Sequence, residues 1–94
     1  MSSYVYILTN VTNRVLYVGV TSDLVKRIYQ HKEKLIPGFS AKYNLNKLVY
    51  LEVFEDINEV IKREKQLKNW HREWKMNLIK TKNPAFKDLY PELF

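Results

Sequence analysis

Apolar and β-branched residues crowd into short blocks near the start of the chain and then spread to helical spacing. Tyr4 to Thr9 reads Tyr-Val-Tyr-Ile-Leu-Thr, a composition that predicts a strand. Asn10 to Arg14 holds two Asn and a Thr, residues that favour turns. Val15 to Val20 (Val-Leu-Tyr-Val-Gly-Val) predicts a second strand, paired with the first as an antiparallel hairpin. Leu24, Ile28, Lys32 and Leu35 then fall near helical spacing, with Val25 widening the apolar face. The helix is expected over about Ser22 to Lys34, with Thr21 or Ser22 as N-cap and Asp23 in the first turn. Ile36-Pro37-Gly38 ends it, and Phe39 to Asn46 reads as a loop.

Lys47 to Phe54 (Lys-Leu-Val-Tyr-Leu-Glu-Val-Phe) predicts a third strand, and its continuous apolar character predicts a central place in the sheet. Asp56, with Glu59 at capping-box spacing, opens a second helix that runs to about Asn69. Its expected apolar side is Ile57, Val60, Ile61 and Leu67. A third helix, about His71 to Lys82, carries Trp74, Leu78 and Ile79 and stops at Asn83-Pro84. The tail from Ala85 holds Phe86, Leu89, Tyr90, Leu93 and Phe94 and should pack back on the body. No internal repeat or linker is visible. The order β-β-α-β-α-α predicts an α+β (α/β) fold, a small three-stranded antiparallel sheet flanked by helices.

Composition narrows this picture. A chain of 94 residues with 46% hydrophobic residues and only 2 Gly and 3 Pro reads as a single domain, 1–94, and not as a disordered chain. With no cysteine, disulfides, thiolate metal sites and cysteine nucleophiles are all excluded. No apolar run approaches the roughly 20 residues of a membrane helix, and Met1-Ser2-Ser3-Tyr4 lacks the basic flank and apolar core of a signal peptide. The expectation is a soluble cytoplasmic protein. The net charge of +6 and pI near 9.6 favour a polyanionic partner over a merely solvated surface. Eight Lys or Arg and only Glu64 and Glu73 lie between Lys62 and Lys82, interleaved with Trp70, His71 and Trp74. That interleaving suits a nucleic-acid backbone better than a membrane.

One set of residues carries candidate chemistry. Tyr6 and Tyr17 can reach the same face of the hairpin. Arg27 and His31, four apart, share a face of the first helix, which starts close to Gly19. Two tyrosines, an Arg, a His and a nearby backbone Gly make a credible phosphate site. Tyr4-Val5-Tyr6 followed by Leu16-Tyr17-Val18-Gly19 resembles the paired motifs of the GIY-YIG nuclease superfamily, with Tyr4 where the first motif has Gly and Val18 where the second has Ile. Asp23-Leu24-Val25-Lys26-Arg27-Ile28-Tyr29-Gln30-His31 resembles that family's Arg- and His-bearing helix, and Ile61-Lys62-Arg63-Glu64-Lys65-Gln66-Leu67 its glutamate helix. The similarity covers essentially the whole chain. It is closest to the short single-domain bacterial proteins described as excinuclease-C-like.

The resemblance implies a metal-dependent endonuclease acting on DNA, structure-selective or weakly specific, in repair or recombination. It implies that Tyr6 and Tyr17 position or deprotonate the attacking water, and that Arg27 holds the scissile phosphate. His31 would bond a phosphate oxygen or take a proton from Tyr17, and Glu64 would ligate one Mg2+ or Mn2+. Asn83 is preferred over Asn77 as the family's late polar residue. Gly19, Lys26, Lys42, Tyr43, Arg63 and Lys68 are expected to meet the nucleic acid. Each has a plainer reading. The tyrosines can be ordinary strand residues, Arg27 the partner of Asp23, His31 a solvated helix residue, and Glu64 an i,i+4 partner of Lys68. Trp70 and Trp74 read as core before base-stacking residues. Two other functions stay open: a non-catalytic nucleic-acid-binding module, for which Tyr4 is the main argument, and a basic face for an acidic protein. The larger family members carry a separate recognition domain for which this chain has no room. Specificity would therefore come from substrate shape, a homodimer or a protein partner.

Overall fold

The expected hairpin forms. In the computed structural model, which describes residues 2–94, β1 (Ser3–Thr9) and β2 (Leu16–Thr21) pair antiparallel. Asn10 organises the turn: its carbonyl takes the Asn13 N–H, its side-chain Oδ1 the Arg14 N–H, and Asn13 adopts the left-handed conformation that Asn tolerates. β3 (Lys47–Phe54) pairs antiparallel with the other side of β1, so the order is β2-β1-β3. The strand expected at the centre is therefore an edge, and β1 is central. Val5 to Thr9 are all buried, whereas Val53 of β3 is more than half exposed. Both blocks are apolar along their length, and apolar character alone does not tell which has a neighbour on each side.

Alternation along β1 sorts the core into two halves. Tyr6 and Leu8 face α1 (Leu24–Lys32), burying Leu24 and Ile28 with Leu45 and Leu48. That helix is shorter than expected. Asp23, not Thr21 or Ser22, is its N-cap and accepts the Lys26 N–H, and Lys34 turns away at φ 56°. Leu35, expected on the apolar face, is exposed. The segment expected to be a loop contains one helical turn, α2 (Phe39–Lys42), which is too short to leave a periodic signature.

Val5 and Ile7 face the opposite layer, α3 (Ile57–Asn69) and α4 (Arg72–Lys82). Asp56 caps α3 through the Asn58 N–H, rather than through the N–H of Glu59 that a capping box would use. Val60 and Leu67 are buried, while Ile57 and Ile61 are exposed. Ile79 anchors α4, Trp70 packs on the core, and Trp74 is half exposed against it. The tail does return. Phe86 enters the α3/α4 layer, and Leu89, Tyr90 and Leu93 cover the α1 layer, though Phe94 stays outside. Asp88 ties the tail down by accepting from Lys32 Nζ at 2.6 Å and from the Leu48 N–H at 3.1 Å. Among the described residues no helix is long and apolar enough to cross a membrane.

Candidate active site

Pairing register puts the two tyrosines together. Tyr6 lies opposite Gly19 and Leu8 opposite Tyr17, so Tyr6 and Tyr17 are diagonal neighbours on the α1 face, with ring centroids 6.4 Å apart. Tyr6 leans across the strand onto Gly19. A Cβ at that position would stand 2.5 Å from both Cζ and Oη of Tyr6, closer than any real contact. Gly19 therefore serves the site by leaving room for the Tyr6 ring. Tyr4, which takes the place of the motif glycine, is half-buried against the same layer and leaves the contacts of Tyr6 intact.

His31 reaches the Tyr6 hydroxyl from α1. Its Nε2 lies 2.8 Å from Tyr6 Oη and its Nδ1 3.0 Å from Ser40 Oγ on α2. His31 is 3% exposed and Tyr6 0%. The solvated-helix reading of His31 is thus wrong, and its tyrosine partner is Tyr6, with Tyr17 meeting only its ring edge. Burial, assisted by the Arg27 charge, pushes His31 down to about 4, so the imidazole is neutral at physiological pH. A neutral ring has one donor and one acceptor. With Tyr6 O–H donating to Nε2, Nδ1–H donates to Ser40, and each group is satisfied.

Burial pushes the Tyr6 phenol up to about 12, against the hydrogen bond and charge of Arg27; the Tyr17 and Glu64 charges raise it further. The Arg27 cation, which would make this phenol more acidic, is present, but desolvation outweighs it. Arg27 is held by the Val20 carbonyl at 3.3 Å and lines an open hollow of about 250 Å³ with Thr21, Ser22, Asp23, Lys26 and Gln30. Tyr17 is only half-buried, and its hydroxyl has no hydrogen-bond partner among the described residues. Tyr6, Tyr17 and His31 thus form one cluster, brought together by β1, β2 and α1, and the Tyr6 hydroxyl feels the charges of Arg27 on α1 and Glu64 on α3.

The remaining expected residues divide. Glu64 pairs with Lys68 at 3.2 Å, as its plainer reading anticipated, but Lys68 is exposed and Glu64 keeps some solvent access beside Tyr6. Among the described residues its ion pair is to the exposed Lys68 ammonium, and such a carboxylate fits a hard divalent cation that keeps its waters. Among the described residues no group of three or more His, Cys, Asp or Glu comes together, so the protein would supply few ligands. Arg63, expected on phosphate, is committed elsewhere. Its Nε and Nη2 fork onto Glu52, each at 2.8 Å, its Nη1 meets Gln66, and its plane lies over Trp70. Tyr50 donates to the same Glu52 carboxylate. Asn83 is also spent: its amide donates to the Val49 and Lys87 carbonyls and accepts the Lys87 N–H, all backbone groups. Asn77 is exposed on α4. Lys26 and Lys42 are exposed, and Tyr43 stacks on Phe39.

Ser40 and Phe39 had no signal of their own, since both sit in a segment that reads as loop. Only the burial of Ser40 and the contact of Phe39 with Tyr17, 6.5 Å between centroids, assign them to the site.

Three comparisons bear on this geometry. The family model for the GIY-YIG catalytic domain matches residues 2–77. The chain is 38% identical over 86 residues to the UPF0213 protein of Syntrophus aciditrophicus (strain SB), covering 87% of this chain and 93% of that protein. It is 40% identical over 85 residues to a UPF0213 protein of Clostridium perfringens, covering 86% of each. The solution NMR structure of a UPF0213 protein from Bacillus halodurans superposes with a TM-score of 0.60 at 26% identity, over 94% of this chain and 93% of that one.

Proposed function

The chain belongs to the GIY-YIG catalytic-domain family, and from that premise we propose that it is an endonuclease hydrolysing DNA phosphodiester bonds with one divalent metal ion. The observation that carries this reading is the cluster of Tyr6, Tyr17 and His31, with His31 Nε2 2.8 Å from the Tyr6 hydroxyl and the Arg27 and Glu64 charges within electrostatic reach of it.

Roles follow from access. Arg27, open to the hollow beside it, binds the scissile phosphate and offsets charge that grows as the water attacks. Tyr17, half-exposed and with no hydrogen-bond partner for its hydroxyl among the described residues, positions that water. Tyr6 is sealed from solvent and does not touch substrate; with His31 and Ser40 it forms a neutral relay that fixes the Arg27 guanidinium. Tyr6, His31 and Ser40 are positioning residues. Glu64 would hold the Mg2+ or Mn2+ ion, which would supply positive charge to offset that of the departing oxygen. Lys26 and Lys68 meet neighbouring phosphates. Such contacts carry no sequence information, so we place the enzyme among structure-selective or weakly specific nucleases of repair or recombination.

The test is cleavage of branched, flapped, nicked and linear DNA in Mg2+ or Mn2+, beside EDTA and Glu64→Ala. The expected result is metal-dependent cutting, lost in the variant while DNA binding persists. Salt-dependent binding with no cutting in any metal would turn the reading to a non-catalytic nucleic-acid module.

A further inference from the structure

Two large aromatic side chains lie outside the core beside the site, and neither has a structural task. Phe39 and Tyr43, four residues apart at α2, are each 44% exposed, with ring centroids 4.7 Å apart. Phe39 in turn meets Tyr17 at 6.5 Å, and Lys42 Nζ stands 5.4 Å from the Tyr43 ring centre. A ladder of rings, Tyr17–Phe39–Tyr43, therefore leads outward from the candidate water-positioning tyrosine and ends under an ammonium. The ladder is not loosely attached. The same helical turn that turns Phe39 and Tyr43 outward turns Ser40 inward onto His31 Nδ1 at 3.0 Å, so the rings keep a fixed register to the chemistry.

Isolated exposed apolar residues are ordinary, but contiguous exposed rings beside a candidate site mark an interaction surface. Stacked rings with a cation beside them have the chemistry that holds nucleobases: each base presents a π-face, and the ammonium meets the phosphate next to it. Bases inside a duplex are already stacked on their neighbours and cannot use such a ladder. We propose that Phe39 and Tyr43 form a stacking platform for unpaired nucleobases next to the scissile phosphate, so that the substrate is DNA with a single-stranded segment at the cut. This rests on the nuclease reading given above and names its substrate class.

Binding in EDTA separates the two, since it needs no catalysis. The probes are a 12-nucleotide oligothymidylate, the same backbone with abasic residues at every position, and a 12-base-pair duplex, each labelled and followed by fluorescence anisotropy at low salt. Wild-type protein is expected to hold the oligothymidylate roughly tenfold tighter than the abasic strand, the worth of one or two stacked bases. Tyr43→Ala and Phe39→Ala should each lose most of that difference while keeping the abasic affinity. Both side chains are exposed, and Tyr43→Leu checks that a change of fold is not the cause. Equal affinity for the base-bearing and abasic strands, or variants that bind oligothymidylate as the wild type does, would overturn the platform and leave the nuclease reading standing. No affinity for any of the three probes would overturn both.

Discussion

Gly19 and His31 show how much of this site hangs on single contacts. At Gly19 an added methyl would collide with the ring and hydroxyl of Tyr6, which is buried all round and bonded to His31 at 2.8 Å. The ring cannot swing away, so Gly19→Ala should cost about 1–3 kcal/mol of stability, the usual penalty for overpacking. Urea unfolding measures that cost, and cleavage should fall with it. His31 has a pKa of about 4 in the fold against 6.5 ordinarily, because burial and Arg27 both oppose its charge. The unfolded chain then binds a proton that the fold refuses. The stability it contributes is complete above pH 6.5 and is lost as pH falls toward 4. His31→Gln keeps a polar group for Tyr6 and does not titrate. Its stability, followed by denaturant unfolding, should decline less than that of the wild type across this window. Parallel pH profiles would contradict the assignment. The burial of His31 was in fact legible: Leu24, Ile28 and His31 stand at i, i+4, i+7, the stripe of a helix facing its core. Running that stripe through Lys32 and Leu35 instead left His31 on the solvated side. Gly19 was legible as part of a motif, but not the reason for it, which needs the register that sets it opposite Tyr6.

Among the elements, the tail is the one whose attachment is most concentrated. Asn83 closes α4 and uses its amide on Val49 of β3 and on Lys87, joining helix, sheet and tail. Asn83→Ala would leave buried carbonyls and an N–H without partners, at a cost of roughly 2–3 kcal/mol. Equilibrium unfolding should show that loss, while the cleavage rate of the folded protein stays near wild type. A variant that is stable but inactive would return Asn83 to the chemistry. Strand and helix positions were legible from β-branched and aromatic blocks, helical spacing and caps in β1, β3 and α3. The sheet order was not, because β1 and β3 carry the same run of apolar residues. Nor was α2, where four residues are too few for a period to register, and the site lost Ser40 and Phe39 with it.

At the scale of the whole molecule, two layers of helices cover one sheet, and the candidate chemistry lies on the α1 face, where Tyr6 of the central strand leans over Gly19 of β2 to meet His31. The +6 charge supplies general attraction for a phosphate backbone, while Arg63 and Asn83, both expected in the site, are spent on holding the fold. Sequence spacing grouped Tyr6 with Tyr17 and Arg27 with His31, and the family resemblance added Glu64. Spacing could not tell a basic residue that is free from one already paired, because Glu52 and Arg63 come from different elements. The central claim is that this cluster cuts DNA, with Arg27 on the phosphate. The most direct measurement is the single-turnover cleavage rate of Arg27→Ala against wild type, at protein concentrations that saturate the DNA. The expected rate is lower by about 10²-fold or more, as when one preorganised charge contact to the transition state is removed, with the DNA still bound. A variant that cuts at the wild-type rate would contradict the account and move the chemistry away from the Tyr6 cluster.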